Sequence, residues 1–220
     1  VWMKKRRVIC YLLAAALLFL TGCKKELKAS EYVQANLDLT FQGEIEGAKA
    51  FVDATDSELE KMYDNGIYAF VEEHLTGEVD DEGKYTDYFA YLVKEIFMAM
   101  RYQVEEAEEI NADTYKVNVN YNPVNVFAIF IEEVAVLSTE LEERLESGYY
   151  EGTDEEQKEL MLIDYMEASY ALLGNAYLQM EYGETETYTF TVTGKEANMP
   201  ELESGEMNEF IEYILALDKL

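Results

Sequence analysis

From Glu31 onward, Val33, Leu37, Phe41 and Ile45 recur every fourth residue. At that spacing side chains stack on one face of a helix. A second helical stretch opens at Thr55-Asp56-Ser57-Glu58, where a hydroxyl and a carboxylate three residues apart can each satisfy the other's backbone N–H. Its apolar stripe is Leu59, Met62, Tyr63, Ile67, Phe70 and Val71, and an acidic loop, Gly77 to Gly83, ends it. The strongest amphipathic pattern runs from about Tyr85 to Arg101, with Tyr88, Phe89, Leu92, Val93, Ile96, Phe97 and Met100 inward.

The period then changes from four to two. In Thr114 to Asn122, Tyr115, Val117, Val119 and Tyr121 alternate with polar residues; in Thr185 to Thr193, Tyr188, Phe190 and Val192 alternate with threonines. Such alternation gives one dry and one wet face, as in an antiparallel sheet. Tyr102 to Ile110 reads as a weaker strand, paired with Thr114 to Tyr121 through a turn at Asn111-Ala112-Asp113. Two long helices lie between the strong strands. One is expected to start at Asn122-Pro123, a cap residue followed by proline at the first helical position, and to run to Ser147. The next starts at a second capping box, Thr153 to Glu156, and runs to about Glu181. A last helix spans about Ser204 to Leu217. The pattern predicts an α+β fold of about six helices and a three- or four-stranded antiparallel sheet, with helices covering one sheet face. With two prolines and no Gly/Ser-rich linker, residues 31–220 read as a single domain.

The amino terminus has a different grammar. Lys4 to Arg7 are cationic, Val8 to Leu20 is a 13-residue apolar run, and Thr21, Gly22 and Cys23 follow. Crossing a bilayer takes roughly 20 apolar residues. A run this short after a cationic start fits a secretory signal. Leu20-Thr21-Gly22-Cys23 resembles the lipobox of bacterial lipoproteins. That resemblance implies a signal peptide over residues 1–22, a thioether-linked lipid with palmitate-type chains on Cys23, and a tether over residues 23–30. Two acyl chains hold a protein stably where one does not. From Lys24 to Ser30 the tether reaches at most about 25 Å, so the expected site is the extracellular face of the cell membrane, close to the bilayer.

Together with that start, the stretches "SEYVQANLDLTFQGE", "TDSELEKMYDNGI" and "TYKVNVNYNP" look like a group of small, uncharacterised lipoproteins of Gram-positive bacteria. That resemblance implies a fold and an anchor, and no catalytic residue. Cystatin-like and nuclear-transport-factor-like folds are a weaker analogy.

Charge narrows the partners. Forty-six acidic residues against 17 lysines and arginines give a net charge of −29. Nucleic acid phosphates would be repelled, and no nucleic-acid partner is expected. His74 is the only histidine, and the two cysteines both precede the mature domain. Triad chemistry and zinc therefore lack material, and neither a metal nor another cofactor is expected. In the loop "EVDDEGKYTDYF", Glu78, Asp80 and Glu82 fall at calcium-ligand positions, but the closing position is Phe89 instead of an acid. Adjacent acids such as Glu132-Glu133 point about 100° apart on a helix, a poor start for the paired carboxyls of glycoside hydrolysis.

Two surfaces remain as candidate binding sites. Tyr149 and Tyr150 lie in the turn between the long helices, where an aromatic pair can stack on a sugar or anchor a protein. Lys116, Asn118 and Asn120 lie on the wet strand face beside the threonine row. The expected role is non-catalytic binding or envelope interaction, with a protein or glycan partner besides the bilayer. A solute- or cation-binding lipoprotein is the alternative, and a carboxylate-based hydrolase the third. Replacing Cys23 by Ser should abolish incorporation of labelled palmitate in the producing cell; undiminished labelling would contradict the lipobox assignment.

Overall fold

The protein is described by a computed structural model over residues 28–77, 84–195 and 199–219. The lipobox cysteine Cys23 and the acidic loop from Glu78 to Gly83 lie outside the described residues. Among the described residues the chain forms six α-helices and a curled antiparallel sheet, an α+β fold. The helices are α1 (Ala29–Leu37), α2 (Asp56–Val71), α3 (Lys84–Met98), α4 (Val126–Glu146), α5 (Asp154–Leu178) and α6 (Glu206–Ile214). The strands are β1 (Arg101–Val104), β2 (Glu108–Asn111), β3 (Thr114–Asn122), β4 (Glu186–Lys195) and β5 (Met199–Leu202). Their order is β1-β3-β4-β5, with β2 also paired to β3. Among the described residues no helix is long and apolar enough to cross a membrane.

Two compact units can be distinguished. One takes the described part of Val1–Ala69 with Val104–Val119 and Thr189–Glu209; the other takes Phe70–Gln103, Asn120–Tyr188 and Phe210–Leu220.

In the first unit, α1 continues into a π-helical turn over Asp38–Gln42, which stops at Gly43. Glycine is needed there twice over: φ is +66°, and a Cβ would meet the Tyr63 ring at 3.0 Å. Tyr32, Val33, Leu37, Leu39 and Phe41 are buried by this helix. The predicted capping box starts α2. The Glu58 N–H donates to Thr55 Oγ1 (3.3 Å) and the Thr55 N–H donates to Glu58 Oε2 (2.8 Å). Those bonds hold the Glu58 carboxyl below its usual pKa. Val117 and Val119 of β3 and Phe190 and Val192 of β4 are fully buried, as their two-residue period requires.

The predicted strand from Tyr102 to Ile110 is two strands, separated at Glu105 to Ala107. In the first unit β2 is exposed throughout and pairs Glu108 with Lys116, and its register slips before the turn at Asn111. Strand β5 has no counterpart in the sequence pattern. It pairs Pro200 with Gly194, and an edge strand tolerates a residue that cannot donate to the ladder.

The second unit is built on aromatic packing. The Phe70 ring lies 5.2 Å from Phe97 and 5.6 Å from Phe127, and the Tyr121 ring lies 5.2 Å from Phe210. Helix α4 starts later than the sequence predicts. The backbone at Pro123 and Val124 is already bonded elsewhere: the Gly183 N–H donates to the Pro123 carbonyl (2.7 Å), and the Val124 N–H donates to the Ile214 carbonyl at the end of α6 (2.9 Å). Asn125 therefore takes the cap position, and the helix begins at Val126. The second capping box forms at Thr153 and Glu156 as predicted.

Glu206 ties the start of α6 to β4. Both carboxylate oxygens accept from the Thr191 N–H, at 3.0 and 2.9 Å. Burial pushes its pKa above the usual 4.5, against the opposing pull of that hydrogen bond. Its charge therefore weakens the fold at neutral pH, and protonation relieves this. Glu206→Gln keeps an acceptor and removes the charge. At pH 7 its melting temperature should equal or exceed that of the wild type. The gap should shrink as pH falls through the raised folded-state value and vanish below the ordinary glutamate range. Glu206→Ala should melt lower than both at pH 7, because the Thr191 N–H loses its partner.

Candidate functional site: a groove along the first helix

An open groove of about 390 Å³ lies in the first unit, lined by Ser30, Glu31, Gln34, Ala35, Asp38, Gly47, Ala50, Phe51 and Val104. Its polar wall is one side of α1. Ser30, Gln34 and Asp38 are spaced by four residues, so they stack along the helix. The Gln34 amide Nε2 donates to Asp38 Oδ1 (2.7 Å). At the rim the Lys28 ammonium donates to Glu31 Oε1.

The other wall is a short 3-10 turn, Ala48–Ala50, flanked by Gly47 and Phe51. This turn packs close to α1, and a Cβ on Gly47 would meet Ala35 Cβ at 3.2 Å. The Phe51 ring is set edge-on to Tyr32, with centroids 5.2 Å apart. Lys49 faces elsewhere, bonded to Glu46 (2.7 Å) and Asp56 (2.6 Å). The result is a concavity with an acceptor-rich wall and small or apolar residues opposite.

None of the residues singled out from sequence is in the lining of this groove. In the first unit Lys116 and Asn118 are exposed, and the Asn118 carbonyl accepts from the Thr189 hydroxyl (2.8 Å). In the second unit Asn120 is half-buried and accepts from the Thr187 hydroxyl (2.7 Å). The wet row therefore carries cross-strand Asn–Thr bonds, a recognised source of sheet stability.

The Tyr149-Tyr150 pair divides. Tyr149 is 65% exposed, with the Arg144 guanidinium 5.7 Å from its ring centre. Tyr150 is only 6% exposed, and its hydroxyl donates to Asp164 Oδ2 (2.8 Å). Burial and the neighbouring Asp164 carboxylate push the Tyr150 hydroxyl pKa up. Only Tyr149 of the two stands out as a surface anchor. Tyr150 works as a clasp between the turn and α5.

His74 sits in a second π-helical turn, Glu72–Thr76, with its ring centre 4.5 Å from that of Phe70. Desolvation by this packing lowers its pKa. Among the described residues no group of three or more His, Cys, Asp or Glu is arranged to hold a metal. The calcium-like loop lies outside the described residues.

The groove escaped the sequence reading for a physical reason. The polar spacing at Ser30, Gln34 and Asp38 is visible in the chain, but nothing local says that Gly47, Ala50 and Phe51 come to face it.

The fold is similar to a crystal structure described as a putative lipoprotein (ycdA) from Bacillus subtilis. The TM-score is 0.53 at 12% sequence identity, over 86% of this chain and 56% of that one. This chain thus spans a little over half of that protein's length. At such identity the likeness shows the fold, and it agrees with the resemblance to lipoproteins of Gram-positive bacteria. No family model matches the sequence, and no curated protein matches it either.

Removing the Tyr150 hydroxyl, as in Tyr150→Phe, should cost about 1 kcal/mol of stability in chemical denaturation. Tyr149→Ala should stay within about 0.5 kcal/mol of the wild type. Equal losses would contradict the division of the pair.

Proposed function

We propose that the protein is a lipoprotein held by Cys23 at the extracellular face of the cell membrane, with a non-catalytic binding role. The groove along α1 carries this reading. Its volume of about 390 Å³ falls within the range of roughly 300–1,000 Å³ usual for ligand sites. It is built on the helix that directly follows the tether, so its ligand would be met near the bilayer surface. The lipobox supports the anchor, and the fold shared with a protein described as a lipoprotein agrees with it. Among the described residues Glu206 is the carboxylate whose pKa is raised, and it bonds a backbone N–H in a structural role.

A second reading has its own observation. Tyr149, exposed and steadied by Arg144, suits a protein or glycan partner, since Tyr and Arg are enriched among residues that dominate interfaces.

A thermal-shift screen of the lipidated protein in detergent separates the two. Solutes, short peptides and cell-wall glycan fragments would each be tested. A ligand at 100 times its dissociation constant adds about 2.7 kcal/mol of stability. A hit lost on filling the groove supports the first reading. A hit lost in Tyr149→Ala supports the second.

A further inference from the structure

Helices α3 and α5 share a seam in the second unit. The Tyr88 and Phe89 rings lie 6.1 and 5.7 Å from that of Tyr170, and a Cβ on Gly174 would lie 3.9 Å from Leu92 Cδ2. Burial and the Glu95 carboxylate push the Tyr177 hydroxyl pKa up, which sets position 95 beside 177. Positions 88, 92 and 95 thus meet 170, 174 and 177 in order, and the two helices run side by side in the same direction.

The outer side of this seam is apolar and exposed. Tyr91 is 66% exposed, Tyr88 52% and Leu178 83%. Leu160 and Ile163, also exposed, stand on the same stripe of α5 as Ala171 and Leu178. A whole tyrosine side chain offers roughly 150–250 Å², so Tyr88, Tyr91, Leu160, Ile163 and Leu178 together present on the order of 500 Å². That matches the largest patch on a typical monomer, which is often functional. It is over half of the roughly 800 Å² that each partner gives to a standard interface.

Gly174 is an independent sign on the same face. It lies within α5 and has no positive φ. Glycine is the poorest helix former after proline. A Cβ there would make only ordinary van der Waals contact with Leu92. Neither the backbone nor packing within the chain therefore calls for glycine. With the exposed Ala171 three residues earlier, Gly174 leaves a notch beside the tyrosine ridge of α3.

We propose that this face joins two copies of the chain. A two-fold axis along the seam sets α3 of one copy over α5 of the other, and each Tyr91 ring seats in the Ala171–Gly174 notch of its partner. A ridge and a matching notch on one face make it self-complementary, as a two-fold interface requires, and favour a second copy over an unrelated partner. The modest area makes the dimer reversible. Each chain carries a net charge of −29, so the copies repel one another at a distance, and salt screens that repulsion.

The test is sedimentation velocity of the lipidated protein in density-matched detergent, with micelles in large excess so that two copies rarely share one by chance. The wild type should pass from monomer to dimer as its concentration rises, at a lower concentration when salt is added. Tyr91→Glu and Leu178→Glu should each raise the dissociation constant by about tenfold or more. Gly174→Ala should raise the melting temperature of the dilute monomer and weaken the dimer. Ile110→Ala, at an exposed position on β2, should leave the dimer unchanged. Melting curves establish that each variant is folded, and if a glutamate variant is not, Gly174→Ala decides.

A monomer at every concentration would overturn the inference. So would a dimer that neither Tyr91→Glu nor Gly174→Ala weakens, since it would form through another face. A dimer that salt dissociates would also count against it, because an apolar contact between two acidic chains gains from screening.

Discussion

The two-residue period of β3 and β4 is the constraint on which the rest depends. A strand turns alternate side chains to opposite faces, so these strands present their apolar and polar rows on different sides. Val117, Val119, Phe190 and Val192 are wholly buried in one unit, and Tyr121 is buried in the other. On the other row Asn118 bonds to Thr189 and Asn120 to Thr187 across the strands. A shift of one residue would reverse every one of these positions.

A chain this acidic must keep its charges from opposing the fold, and it does so locally. Acids are placed at helix starts, where they meet unpaired N–H groups and the positive end of the helix dipole. Glu58 and Glu156 both hold lowered pKa values through capping bonds to Thr55 and Thr153. These two contribute stability at neutral pH that is lost as pH falls through their folded-state values; Glu206 has the opposite sign. The few cations are used sparingly. Lys49 joins Glu46 to Asp56, and Arg101 lies 3.6 Å above the Tyr182 ring.

Local rules held where the interaction they describe is itself local. Both capping boxes formed as written, because each closes within four residues. The alternating strands also appear where their period puts them, whereas the first helical stripe breaks at Gly43, ahead of Ile45, and Tyr88 of the third is 52% exposed. Rules failed where distant backbone intervened. Asn122-Pro123 has the chemistry of a helix start, yet Gly183 and Ile214 bond to Pro123 and Val124 and delay the helix to Val126. Tyr149 and Tyr150 are alike and adjacent in sequence, but an acid fourteen residues away, Asp164, draws one hydroxyl inward.

By itself, then, the sequence determined the fold class, the kind of each main element, the acidic surface and the expectation of a lipid anchor at Cys23. All of these follow from periodicity, composition or contiguous residues. Tertiary structure alone decided which tyrosine is exposed, where α4 begins, and that a groove exists at all. The groove depends on Gly47 letting a short turn approach Ala35 of α1. Close approach of two segments depends on the path of the chain between them, and no period or local composition in either segment encodes that path.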